Sequence, residues 1–333
     1  MKELQLFGTQ FVLPFLLAFA VCLIVGPWTI KLMQKLKFGQ QVRDDGPASH
    51  LKKQNVPTMG GIMMLVALLI AALVFQFNGP ALAAVAATMG YGLIGFLDDI
   101  IKILKKRSLG LRAYQKIIGQ FGIAIIMAWY GYRYVGDVIR VPFVGEVSLG
   151  LWYLPFAVFV ILAIVNGENL ADGLDGLASR MTFTQGLTMG LMILLPNLLG
   201  MVQGGMDPEL GMLSVAMAGA CLGFLRFNTY PARIFMGDTG ALALGGCIAL
   251  CALYSGFALL LPILCVMLVV TCVSVILQVG SYKLRHGKRV FKMAPLHHHY
   301  ELCGYHETTV TNMYSLITVI ACAITLWLSF YSL

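Results

Sequence analysis

Charge is scarce in this sequence. Only 11% of its 333 residues are Asp, Glu, Lys or Arg, while 59% are hydrophobic; soluble domains carry roughly 25% charged residues. That balance excludes an ordinary soluble protein. It also excludes intrinsic disorder, which needs low hydrophobicity and high charge. A periodic Gly or Pro pattern of a fibrous protein is absent. So is a G-x-x-x-x-G-K-[ST] loop, which removes P-loop ATP hydrolysis. The eight cysteines show no C-x-x-C spacing, and seven (Cys22, Cys221, Cys247, Cys251, Cys265, Cys272, Cys322) fall in apolar runs and read as small hydrophobes. Cys303 sits in a loop with no activating partner evident from spacing. The formal net charge is +8, yet the basic residues are confined to a few interhelical segments, so nucleic acid is not an expected partner.

What the sequence has in quantity is apolar runs. Ten of them, near 11–33, 60–77, 80–97, 117–134, 151–165, 181–199, 210–225, 241–255, 259–280 and 312–331, have about the length a membrane span needs. The expected fold is all-α: a single integral membrane domain over 1–333 with ten transmembrane helices. Ala18-Phe19-Ala20 has the look of a signal-peptidase site, but apolar sequence continues to Trp28 and Ile30, which predicts a retained helix. With ten spans, the loops after spans 1, 3, 5, 7 and 9 share one side, and these hold 20 of the 23 Lys and Arg residues. The positive-inside rule makes that face cytoplasmic and both termini external. This count needs 241–280 to cross twice, with the turn at Tyr254-Ser255-Gly256. Residues 136–150 read as a small external hairpin.

Fifteen residues are acidic, and ten of them fall on the cytoplasmic side. Five, Asp98, Asp99, Asp172, Asp175 and Asp238, lie at the membrane ends of spans 3, 5 and 7. Any one could simply cap a helix. Three loops clustering like charge at an apolar boundary point instead to a cation or a paired partner. Carboxylates near water suit Mg²⁺, which takes one or two of them and completes its octahedron with water and substrate phosphate. Zinc fits less well without interleaved Cys and spaced His. If Asn169 to Asp175 is helical, Asn169, Asp172 and Asp175 recur at i, i+3 and i+6 on one side. Asp98 and Asp99 should diverge by roughly 100°, so one of them is expected to face the site. Met236-Gly237-Asp238-Thr239-Gly240 reads as a turn offering free backbone N–H groups to an anion. His297-His298-His299 follows five basic residues between Lys283 and Lys292, which suggests a phosphate-facing role.

Taken in order, Asp44-Asp45-Gly46-Pro47 with Ser49-His50, Pro57-Thr58-Met59-Gly60-Gly61, Leu97-Asp98-Asp99, Asn169 to Gly176, Phe227-Asn228 with Pro231-Ala232, Phe235 to Gly240, and Ala294 to His299 closely resemble the phospho-N-acetylmuramoyl-pentapeptide-transferase family of the polyprenyl-phosphate N-acetylhexosamine-1-phosphate transferase superfamily. The resemblance runs essentially end to end. It implies transfer of phospho-MurNAc-pentapeptide from UDP-MurNAc-pentapeptide to undecaprenyl phosphate, giving lipid I and UMP. It further implies Mg²⁺, a ten-helix homodimer in the bacterial inner membrane, and a lipid groove by spans 5 and 9. By resemblance, Asp238 is the Mg²⁺ ligand with Asp98 and Asp99 nearby, one of them a candidate base or orienting group for the lipid phosphate. Lys116 is similar to an essential lysine, and His297 and His298, followed by His299, to diphosphate-site histidines. Phe235 would stack on uracil, with Lys53, Thr58, Asn169, Asp172, Leu174 and Asp175 lining the nucleoside pocket. Asn228 and Gln278 resemble polar site residues of unassigned role.

The sequence departs from the family pattern at Asn55-Val56, Ala171, Ala241 and Asn312-Met313, which removes hydroxyl contacts at the two alanines and a charge near the start of span 10. Direct displacement by the lipid phosphate is favoured over an aspartyl-phosphate intermediate. Two other readings are a sibling that transfers GlcNAc-1-phosphate to the same lipid and an ion-coupled transporter with intramembrane carboxylates.

Overall fold

A computed structural model describes residues 5–6, 8–36, 38, 53, 56–105, 110–202 and 205–333. Asp44 to Pro47, Ser49-His50 and Asn55 lie outside the described residues. The chain is mostly helical. Among the described residues the ten long helices are α1 (Leu13–Lys35), α2 (Gly61–Val74), α3 (Gly79–Leu104), α4 (Ala113–Tyr130), α5 (Tyr153–Ala171), α6 (Leu177–Leu198), α7 (Pro208–Asn228), α8 (Gly237–Tyr254), α9 (Val266–Leu284) and α10 (Glu307–Ser329). Each coincides with one apolar run. Seven helical stretches are long and apolar enough to cross a membrane, those containing α1, α3, α5, α7, α8, α9 and α10, and α2 is a shorter apolar helix. Polar residues dilute α6, which carries Ser179, Arg180, Thr182, Thr184, Gln185 and Thr188.

The expected hairpin is present as antiparallel strands β1 (Val138–Val141) and β2 (Gly145–Ser148), with Ile139 opposite Val147. The turn after α8 is also present, with Gly256 at φ +82°. The span expected over 259–280 is broken at Cys265, between a one-turn helix Leu261–Leu264 and α9.

At the centre, α8 is buried on every side from Thr239 to Tyr254, as an all-round apolar helix must be. It packs most extensively on α3 and α5. Small residues permit the approach. A Cβ at Gly95 would lie 2.1 Å from the Asp238 carbonyl oxygen, and one at Gly61 would lie 2.2 Å from the Gly240 nitrogen. The ends of α3, α2 and α8 therefore meet backbone to backbone.

Contacts among the described residues sort the loops into two sets. Lys53 before α2, Asp175 between α5 and α6, and Glu307 at the start of α10 join at one end. The α3–α4 and α7–α8 connections join them there, as described below. At the opposite end, Asn78 between α2 and α3 meets Glu209 at the start of α7. The Arg140 N–H there donates to the Gly256 carbonyl, and the Phe143 N–H to that of Tyr331.

Candidate active site

The site lies where the odd-numbered loops converge. Three carboxylates from two elements, Asp98 and Asp99 near the end of α3 and Asp238 in the first turn of α8, bring one ligand oxygen each to within 4.8 Å of one another. Lys102, one turn beyond Asp98, places its Nζ 2.7 Å from Asp98, 2.9 Å from Asp238 and 3.4 Å from Asp99. Lys116, in the first turn of α4, reaches Asp238 at 2.5 Å and Asp98 at 3.8 Å. Asn169, in the last turn of α5, donates from Nδ2 to Asp238 Oδ1 at 2.8 Å. The Leu111 N–H fixes the other oxygen of Asp98 at 2.7 Å.

The two adjacent aspartates have different tasks. Asp99 Oδ2 accepts from the Thr239 N–H at 3.0 Å and its hydroxyl at 2.8 Å, and Oδ1 accepts from the Asp238 N–H at 3.3 Å. Asp99 thus caps the start of α8 from a neighbouring helix, meeting N–H groups that have no intrahelical partner. The expectation that these N–H groups are free for an anion is corrected: a carboxylate of the chain already holds them. Asp98 turns its second oxygen toward Lys102 and Lys116, so it is the more available of the pair.

A second correction concerns 169–176. The helix stops at Ala171, and Gly176 takes φ +73° before α6 begins. Asn169, Asp172 and Asp175 therefore do not share a helical face. Asn169 faces Asp238, whereas Asp175 accepts from Lys53 at 2.6 Å and from the Ala232 N–H at 2.9 Å. Burial, reinforced by the neighbouring charges of Glu168 and Asp238, pushes the Asp172 carboxyl well above the usual carboxylate range.

Lys53 also meets Glu307 at 2.5 Å, and its Nζ lies 6.0 Å from the centre of the Phe235 ring. Burial alone would lower its pKa, but the hydrogen bonds and charges of Asp175 and Glu307 outweigh that and raise it. Thr58 is buried, its hydroxyl oxygen 2.9 Å from where a Cβ of Gly237 would lie. Its segment is held by backbone bonds from Phe235 to Pro57, Gly60 to Phe235 and Gly61 to Met236. Met59 adopts φ +69° to make that turn.

The histidines stand on a short helix, Leu296–Leu302. His297 is fully buried, and its Nε2 lies 2.2 Å from where a Cβ of Gly173 would be. A side chain there would strike the imidazole. His298 Nδ1 lies 2.8 Å from Glu301, and His299 Nδ1 accepts from the Lys292 N–H at 3.1 Å. His297 thus borders the 172–176 turn.

Three further expected site residues are engaged within the chain. Leu174 belongs to the hydrophobic core. Asn228 is buried and bonds the Gly176 N–H, the Ser179 hydroxyl and the Ile234 carbonyl. Gln278 is bonded to the backbone of Val290 and Phe291. Sequence reasoning missed Lys102 and Glu307. The i, i+4 spacing from Asp98 could have revealed Lys102, but nothing local marks Glu307.

A family model described as glycosyl transferase family 4 matches residues 81–256, which contain the three clustered aspartates. The chain is 47% identical to the phospho-N-acetylmuramoyl-pentapeptide-transferase of Caldanaerobacter subterraneus subsp. tengcongensis, over 96% of this chain and 97% of the relative. It is 46% identical to the protein of that name from Thermoanaerobacter pseudethanolicus, over 97% and 99% of the two chains. The Clostridium perfringens strain SM101 relative of the same name is 44% identical over 95% of each. The chain belongs to the phospho-N-acetylmuramoyl-pentapeptide-transferase family.

Proposed function

We propose that the protein transfers phospho-MurNAc-pentapeptide from UDP-MurNAc-pentapeptide to undecaprenyl phosphate, forming lipid I and releasing UMP in peptidoglycan synthesis. The observation that carries this reading is the meeting of Asp98, Asp99 and Asp238 within 4.8 Å, bordered by two lysines, in a member of this family. The protein would sit in the bacterial inner membrane with ten spans, external termini and a cytoplasmic site, as a homodimer.

The donor set fits Mg²⁺: hard carboxylate oxygens, with no thiolate or imidazole among the clustered ligands. Asp238, Asp98 and Asp99 would hold the ion, which when bound would neutralise charge developing on the diphosphate. A lipid phosphate oxygen attacks the phosphorus attached to the sugar. The bond from that phosphorus to the bridging oxygen breaks, and UMP departs with the electron pair. One phosphoanhydride replaces another, so the exchange is near balance and needs no ATP. Lys116 and Lys102 lower the cost of gathering anions, and Asn169 orients Asp238. His297 and His298 face the diphosphate across the Gly173 turn. Phe235, Lys53, Thr58, Asp172 and Asp175 would receive the nucleoside, with Leu174 and Asn228 shaping the pocket from behind and Gln278 fixing the loop that carries the histidines.

UMP release by purified protein given both substrates tests the reading. Release should require Mg²⁺ and should persist when excess UDP-GlcNAc competes. Release driven by UDP-GlcNAc alone would assign the sibling reaction, and solute flux without UMP would assign a transporter.

A further inference from the structure

The exposed basic segment at the end of α9 has no role in the chemistry above. Residues 282–290 are all exposed and include Lys283, Arg285, Lys288 and Arg289. The sequence has no acidic residue between Asp238 and Glu301. Among the described residues none of these four cations pairs with a carboxylate, in contrast to Lys53, Lys102 and Lys116. Apolar side chains interleave with them: Tyr282 is 54% exposed and Leu284 83%. The lipid-length helix α9 ends in their midst, with Ile276 and Leu277 exposed one to two turns earlier.

We infer that residues 283–289 form a docking surface for the anionic phospholipid headgroups of the surrounding leaflet. This rests on the membrane reading above. Cations flanked by exposed apolar anchors at the end of a span match a charged headgroup layer over acyl chains. A free nucleotide would use the cations but not Leu284.

The surface is fastened to the histidine helix. His286 at φ +51° and Gly287 at φ +90° turn the chain back along α9. Ser281 Oγ then donates to the Lys288 carbonyl at 2.9 Å, and Gln278 Oε1 accepts from Val290 at 3.0 Å and Phe291 at 2.9 Å. Beyond them the Lys292 N–H donates to His299, Lys292 Nζ donates to the Leu302 carbonyl at 2.8 Å, and the Phe291 and His299 rings lie 5.5 Å apart. Headgroups held by the four cations therefore steady the helix that carries His297 and His298.

The test uses the full chain and the K283Q/R285Q/K288Q/R289Q variant in nanodiscs of phosphatidylcholine with increasing phosphatidylglycerol. Native mass spectrometry counts the phosphatidylglycerol kept after transfer to detergent, and hydrogen exchange reports protection of 288–302. A basic residue beside an anionic surface is worth about fivefold in binding, so the variant should retain at least about tenfold less phosphatidylglycerol. Protection of 288–302 should rise with phosphatidylglycerol in the wild type alone. The double variants K283Q/R285Q and K288Q/R289Q carry the same expectation, reduced, should the quadruple variant not fold. Equal retention by variant and wild type would overturn the proposal, as would a loss restricted to added undecaprenyl phosphate, which would assign the surface to the acceptor lipid. Neither readout needs turnover, so failure of the transferase reading would leave this result interpretable.

Discussion

At one end of the bundle Asp137, Asp207 and Glu209 each serve a neighbouring turn or helix start. Glu209 accepts from the backbone and side chain of Asn78, and Asp207 caps Glu209. Asp137 accepts from the Ser148 hydroxyl and the Gly150 N–H, which hold its carboxyl below the usual range. At the other end, Asp98, Asp99 and Asp238 crowd together, and Asp172 is pushed the opposite way by burial and by the carboxylates around it. Capping alone explains the first arrangement. The second costs free energy unless cations and a ligand offset it, and the chain supplies Lys102 and Lys116 for part of that task. Acids that end structures and acids that gather charge are thus separated by the length of the bundle.

Substitutions at the two ends should differ accordingly. The largest effect is expected for Asp238→Asn, which removes the one charge shared by Lys102, Lys116 and Asn169. UMP release should fall by about three orders of magnitude, as for loss of a group that stabilises charge at the reacting centre, and full turnover would remove Asp238 from the site. Glu307→Gln should act next. Its amide oxygen can still accept from the Asp175 N–H, but one of the two charges holding Lys53 near Phe235 is gone. KM for the nucleotide donor should rise about tenfold with kcat little changed, on the scale of a weakened charge-assisted hydrogen bond. A kcat loss at constant KM would contradict the positioning role.

Asp99→Ala should lower stability by about 1–2 kcal/mol, the worth of a helix N-terminal cap, seen as a lower melting temperature. Asp98→Ala should leave α8 capped and lose activity with a smaller thermal shift. Identical profiles for the two would erase the division of labour between them. At the far end, Glu146→Gln breaks an ion pair whose glutamate side chain is 54% exposed. Such pairs contribute about 0–1 kcal/mol, so melting and turnover should both stay near wild type.

Much of this was legible in the sequence because spans and loop charge are local features. Ten apolar runs gave ten helices, and the uneven placement of Lys and Arg assigned the odd loops to one side, where their contacts now join. The turn at Gly256 and the 138–148 hairpin followed from punctuation by Gly and Pro. Pairings over long separations were not legible. Lys53 meets residues 122 and 254 positions away, and no spacing rule spans such distances. The helical reading of Asn169 to Asp175 failed where the helix stops at Ala171 and Gly173 lies against His297, a contact from the far end of the chain that local spacing does not carry. The intramolecular bonds of Asn228 and Gln278, to Gly176, Ser179 and Ile234 and to Val290 and Phe291, were likewise not legible.

We propose that Asp98 and Asp238, brought together from α3 and α8, hold a divalent cation. Mn²⁺ titrated into the full-length protein and followed by electron paramagnetic resonance tests it without turnover. Wild type and Glu146→Gln should each bind one ion per chain, and the Asp98→Asn/Asp238→Asn double variant should lose that site. Undiminished Mn²⁺ binding by the double variant would remove Asp98 and Asp238 as the cation's ligands.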